Sequence, residues 1–187
     1  MRSGIMETGI DIANLLAAQL AVFLGLLLLG SAFHKVFGFE RARSVMQGFA
    51  GIPARLAPMA VVLVAVAELL AGLLLCSASY RGVGASIAVL AWSAYLAVIL
   101  RRIAQGRSDL DCGCSFGAAH SSLGAFQVVR NAVLIGLALI VGLAGAPREI
   151  GPGLQPVQLL PALALLALYA ALDQIMTLKR LHRGAAR

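Results

Sequence analysis

The chain has 187 residues, 60% of them hydrophobic and only 12% charged, a balance that excludes an ordinary water-soluble domain. Its formal charge of +7 comes from 15 Lys and Arg against 8 Asp and Glu. The basic residues lie at the ends of apolar runs, where they set topology and meet anionic lipid headgroups, so nucleic-acid binding is rejected. Three cysteines, Cys76, Cys112 and Cys114, are too few for a disulfide framework, and an odd count leaves at least one without an intramolecular partner.

The expected fold class is all-α, a polytopic transmembrane helix bundle of about five spans in a single membrane domain covering 1–187. The first run, 12–33, is long enough to cross a bilayer and is stopped by His34-Lys35 and by Arg41 and Arg43. Glu7 and Asp11 stand before it in place of a basic segment leading to a cleavage site, so this run is expected to remain as an anchor. A polar stretch with Gly51, Pro53 and Pro58 precedes the second run, 57–78, whose one charge is Glu68. The third, 83–100, follows a short Arg81-Gly82 link and ends at Arg101-Arg102. After the loop from Ile103 to Leu123, Ser121 and Ser122 are expected N-caps of a fourth span, 122–145. Pro147, Gly151, Pro152, Gly153 and Pro156 mark the next loop, the fifth span is 157–178, and a basic tail, 179–187, completes the chain. No repeat or low-complexity tract is visible.

With five spans, twelve of the fifteen basic residues fall on one side, and only Arg2, Arg81 and Arg148 on the other. The positive-inside bias then predicts an outside amino terminus and an inside carboxyl terminus. It also puts the loop carrying Cys112 and Cys114 at the cytoplasmic end.

That loop holds the most concentrated chemistry. In Asp111-Cys112-Gly113-Cys114 two thiols flank a glycine free to adopt backbone angles other residues resist. Such a pair closes a disulfide only with strain, and strain makes it easier to reduce, which suits an exchanging pair. The bland alternative is two reduced thiols in a tight turn. A metal site built with His120 and an aspartate is the weaker reading, because one C-x-C pair is not a zinc pattern and no second pair completes it. Within the spans, Arg130 and Asn131 sit near the start of the fourth and Glu68 some ten residues into the second. A charge in the bilayer needs a partner, so a Glu68–Arg130 ion pair, or a water cavity shared by the two, is expected beneath the cysteine loop. His34 and Lys35 fall at the same end, where a cation would raise the thiolate fraction of a nearby cysteine; the plainer reading of Lys35 is an interfacial anchor. Cys76 reads as a buried small hydrophobe. Asp173, in the last span, has no evident role.

Taken together, His34-Lys35-Val-Phe at the end of an apolar helix, Glu68-Leu-Leu-Ala-Gly72, Gly106-Arg107, Asp111-Cys112-Gly-Cys114-Ser-Phe116-Gly117 and Arg130-Asn131 opening another apolar helix resemble MauE-type methylamine-utilisation membrane proteins, relatives of the DoxX-like bundles. The likeness follows the family's order over nearly the whole chain, although Ser115 is inserted relative to the shorter Cys-Gly-Cys-Phe-Gly form. It implies a role in the bacterial inner membrane in maturing the small (beta) subunit of methylamine dehydrogenase, beside the thioredoxin-like MauD. The expected function is a thiol–disulfide relay through Cys112 and Cys114, supported by Asp111, His34, Lys35, Glu68, Arg130 and Asn131. A non-catalytic assembly or export factor is the alternative, and a small-molecule transporter a weaker one. No metal is expected and no cofactor is evident, with a lipid-soluble quinone left open as carrier.

Overall fold

The computed structural model describes residues 2–106, 125–144 and 155–185, with side chains at 13–106, 125–144 and 159–175. Six helices account for nearly all of them: α1 (Arg2–Phe37), α2 (Phe39–Gly48), α3 (Ala57–Cys76), α4 (Arg81–Ala104), α5 (Ala125–Leu143) and α6 (Gln155–Ala185). Four contain segments long and apolar enough to cross a membrane, Ala13–Phe37, Ala57–Cys76, Arg81–Ala104 and Ala125–Leu143, and α6 carries a shorter apolar stretch, Leu159–Ile175. The protein is thus a polytopic helical bundle of about five spans. Its apolar runs became helices because backbone polar groups in hydrocarbon must be satisfied within the segment itself.

Helices α1, α3, α4 and α5 form a ring in which each packs on its two neighbours; α6 lies against α1. The diagonals of the ring, α1 to α4 and α3 to α5, make little or no contact. Leu24, Leu28, Ala71, Leu75, Ala88, Trp92, Leu134 and Ala138 fill the interior, and Phe23 meets Tyr169 of α6 edge-to-face at 6.3 Å.

Helix-to-helix attraction in lipid gains little from the hydrophobic effect and depends on close packing of small residues. The α1–α3 contact is built this way. A Cβ on Gly25 would stand 3.0 Å from the carbonyl oxygen of Gly72, and one on Gly72 would stand 2.9 Å from that of Gly25 and 2.8 Å from Leu29 Cγ. At the far end, Gly84 lets the start of α4 touch the backbone of α3, where a Cβ would come within 2.6 Å of the Leu75 nitrogen.

Helix α2 was not among the expected elements. Gly38 breaks α1 with φ −105° and ψ 41°, while its N–H still donates to the His34 carbonyl at 2.9 Å. The ten residues that follow are amphipathic and none is fully buried. They pack through Val45, with Phe49 just beyond, against Val98 and Ile99 of α4 and Val128 of α5. The carbonyls at the end of α2 are met by Arg102: Nε donates to Phe49 O and Nη2 to Gly48 O at 3.1 Å. A cationic donor at a helix carboxyl end satisfies orphan carbonyls and complements the dipole. Gly51 is required beside it, having φ +73°, and any Cβ there would lie 3.0 Å from Arg102 Nη2. Arg102, expected as part of a topology-setting pair, is instead nine-tenths buried. Arg81, expected in a link, is the buried first residue of α4. Cys76 is corrected too: it ends α3 as an exposed residue, with its sulfur beside Gly25.

Gly72→Val should lower stability by about 1–3 kcal/mol through overpacking, seen as a lower midpoint of thermal unfolding in detergent. Gly136→Ala, where nothing lies within 4 Å of the added Cβ, should not lower it.

Candidate functional site

Chain alternation brings the end of α1, the start of α3, the end of α4 and the start of α5 to one end of the ring. At that end a polar network interrupts the apolar interior. Glu68, on α3, is 1% exposed. The α1 ammonium of Lys35 donates to its Oε1 at 2.8 Å and Oε2 at 2.9 Å. Ser31, one turn earlier on α1, donates to Oε1 at 3.0 Å and accepts from Lys35 at 2.8 Å. From α4 the Tyr95 hydroxyl donates to the same oxygen, and Lys35 Nζ lies 5.6 Å from the Tyr95 ring centroid. A buried carboxylate costs several kcal/mol in desolvation unless charge and hydrogen bonds compensate it, and here both neighbours of α3 supply them.

The expected Glu68–Arg130 pair is not formed. Glu68 takes its partners from α1 and α4, the helices flanking α3, whereas Arg130 sits on α5, diagonally across the ring. Arg130 instead bonds Asp173 of α6, Nη1 to Oδ1 at 3.0 Å, with side chains 8% and 2% exposed. Asp173, without a role in the sequence reading, is thus a buried counter-ion. Asn131 is buried beside them and donates to the Gln127 carbonyl at 2.8 Å.

A cavity lies between the two pairs, lined by Arg130 and by the partners of Glu68 but not by Glu68 itself. Its volume is about 60 Å³, and Ser31, Lys35, Tyr95, Arg130, Asn131 and Trp92 are among its lining residues. That is room for water, with polar partners enough to hold it. It places Lys35 and Arg130 on one small chamber, each charge-matched by a carboxylate on another helix.

Lys35 and Tyr95 also form part of the wall of a second, larger chamber of about 240 Å³ between α2, α3 and α4. Its sides are mainly apolar, including Val45, Phe49, Val64, Val98 and Ile99, and exposed His34 stands at its rim. Lys35, for which the plainer expectation was an interfacial anchor, therefore stands with Tyr95 where both chambers and the carboxylate meet.

Asp111, Cys112, Cys114 and His120 lie outside the described residues. The segment carrying them joins Gly106, after α4, to Ala125, at the start of α5. The sequence reading missed Ser31, Tyr95 and Arg102 as interior polar groups. A signal existed for α4: Ala88, Trp92, Tyr95, Ile99 and Arg102 recur at four- and three-residue steps, the spacing of one inward helix face. Ser31 and Lys35 are likewise four apart.

The family model described as methylamine utilisation protein MauE matches residues 13–144. The chain belongs to the MauE family. No curated protein and no solved structure matches it. The MauE match runs from α1 through α5, taking in Lys35, Glu68, Tyr95 and Arg130, and ends before α6, so Asp173 is contributed from outside it. Membership gives the protein a role in methylamine utilisation.

Lys35→Met removes the charge that matches a fully buried carboxylate and should cost roughly 3 kcal/mol, at the low end for a broken buried pair because Lys35 keeps some exposure. The double variant Lys35→Met/Glu68→Gln should recover much of that loss. Thermal unfolding of the single and double variants in detergent checks both.

Proposed function

We propose that this MauE-family chain is a membrane component of methylamine dehydrogenase maturation, acting as a thiol–disulfide relay that supports disulfide formation in the small subunit, or its processing and transport. Cys112 and Cys114 are the exchanging pair, with the thioredoxin-like MauD and the small subunit as partners. The observation that carries this reading is one of placement: the segment bearing the two thiols joins the helices that contribute Tyr95 and Arg130, at the end of the bundle where the buried charges gather.

In this reading Asp111, His34, Lys35, Glu68, Arg130 and Asn131 support the pair rather than react. Thiolate attack requires proton removal, and a network of carboxylate, ammonium and phenol hydroxyl beside a small polar chamber is suited to accepting and passing protons. The chain sits in the bacterial inner membrane with its amino terminus outside and carboxyl terminus inside, as its basic residues favour. That orientation puts the cysteines at the cytoplasmic end; the resemblance implies that the dehydrogenase is a periplasmic enzyme, so the pair acts as a relay in place of direct donation to the subunit.

In cells that depend on this protein for growth on methylamine, Cys112→Ser and Cys114→Ser should each abolish accumulation of disulfide-bonded small subunit while the membrane protein itself accumulates normally. Normal maturation in both variants would leave only a non-catalytic assembly role. Labelling of the two thiols with a membrane-impermeant maleimide should require permeabilised membranes and prior reduction; ready labelling from outside would reverse the orientation.

A further inference from the structure

The end of the bundle opposite the Glu68 network holds a buried charge of its own. Arg81, the first residue of α4, is 5% exposed. Its Nε is enclosed with no hydrogen-bond partner, and no ion pair among the described residues includes it. Its own hairpin offers no counter-ion, because no acidic residue occurs between Glu68 and Asp109. The guanidinium is close enough to Cys76, the last residue of α3, for the two to interact electrostatically, so it sits at the α3–α4 turn. A thiol is a poor match for a desolvated cation, whose burial calls for an anion.

The backbone adds to that need. A cation at a helix amino terminus stands at the positive end of the macrodipole. Tyr80, the N-cap residue, makes no side-chain capping bond. Intrahelical bonding begins with Gly84, whose N–H donates to the Tyr80 carbonyl at 3.0 Å. The N–H groups of Arg81, Gly82 and Val83 therefore have no intrahelical acceptor. Gly82 is exposed, and a Cβ built on it would meet nothing within 4 Å, so a group from outside can approach these donors. The Cα–Cβ bonds of a helix tilt toward its amino terminus, which turns the Arg81 side chain to the same end. A guanidinium beside free N–H groups at a helix start is a donor set matched to the oxygens of a phosphate.

Position indicates where the phosphate comes from. Cys76 and Arg81 are the facing ends of two apolar spans, so the turn between them lies at the level of the headgroups. Tyr80 is 59% exposed and Val83, in the first turn of α4, 55%, which sets aromatic and apolar surface beside the donors, as at a bilayer interface. We propose that the start of α4, with Arg81, binds the phosphate of a phospholipid headgroup. The bound phosphate supplies the counter-charge that the described part of the chain does not, and holds the α3–α4 hairpin at the membrane surface. The site is independent of the thiol–disulfide reading.

Native mass spectrometry of the delipidated full chain in detergent tests this, with dioleoyl phosphatidylglycerol, dioleoylglycerol and inorganic phosphate as probes. Phosphatidylglycerol should add saturably and raise the midpoint of thermal unfolding; dioleoylglycerol, which lacks the phosphate, should do neither. Arg81→Gln should weaken one saturable phosphatidylglycerol adduct about tenfold or more, some 1.4 kcal/mol, whereas Arg101→Gln, at the other end of α4, should leave that adduct unchanged. Without lipid, Arg81→Gln should unfold at or above the midpoint of the parent, since it removes an unmatched buried cation. Gly82→Asp puts a carboxylate into the open space at the helix start; it should raise the lipid-free midpoint and weaken the same adduct. Phosphatidylglycerol binding left unchanged by both Arg81→Gln and Gly82→Asp, or equal uptake of dioleoylglycerol, would overturn the site. A lipid-free loss of stability in Arg81→Gln with unaltered lipid binding would assign Arg81 to packing alone and overturn it too. Inorganic phosphate that binds as tightly as the lipid and displaces it would overturn the lipid assignment in favour of a free-phosphate site.

Discussion

Glu68 places a carboxyl group at 1% exposure inside a bundle made to face lipid, and the surrounding helices are arranged around meeting its needs. Its oxygens receive an ammonium and a hydroxyl from α1 and a phenol from α4. Each of those bonds spans two helices, so the depth and rotation of α1 and α4 relative to α3 are tied to one side chain. The glycine contact between Gly25 and Gly72 sets how near α1 comes to α3; the carboxylate sets their register. Packing alone in lipid leaves sliding cheap, and a buried polar group that demands specific partners is one of the few devices that removes alternatives.

Helix α4 carries this constraint outward. Along one face it presents Trp92 to the interior, Tyr95 to the carboxylate and both chambers, Ile99 to the satellite core and Arg102 to the carbonyls of α2. The amphipathic α2 would otherwise hold on weakly, having no buried residue of its own. Its attachment through a guanidinium on a spanning helix makes the roof of the larger chamber part of the same rigid unit as the polar network beneath it.

The class of fold was legible because apolar runs of bilayer length leave few alternatives, and the cysteine pair, Glu68 and the Arg130-Asn131 step were enough to suggest the family. The partners of the buried charges were not. Glu68 and Arg130 were each correctly seen to need a counter-charge, but which one depends on which helices adjoin, and apolar runs of similar composition do not encode their neighbours. The ring puts α3 and α5 on a diagonal, so the charge that looked available in sequence was out of reach. Lys35 was hidden by resembling an ordinary end-of-span lysine, and Asp173 by lying alone in a stretch with no other charge. Helix α2 was missed because its charges, Glu40, Arg41 and Arg43, look like a connecting loop until Val45 and Phe49 are seen to find a surface.

The two buried pairs also bear on how the chain enters the membrane. In each, the cation precedes its carboxylate, by 33 residues for Lys35 and Glu68 and by 43 for Arg130 and Asp173. During synthesis each cation therefore emerges before the carboxylate it pairs with in the folded bundle. A nascent α1 or α5 would be held with its charged end at the headgroups and drawn to final depth only when the partner helix arrives. For Arg130 that partner is α6, beyond the family match. Helix α6 thus supplies the carboxylate that matches Arg130 in the described residues, tying α5 to a helix outside the family match.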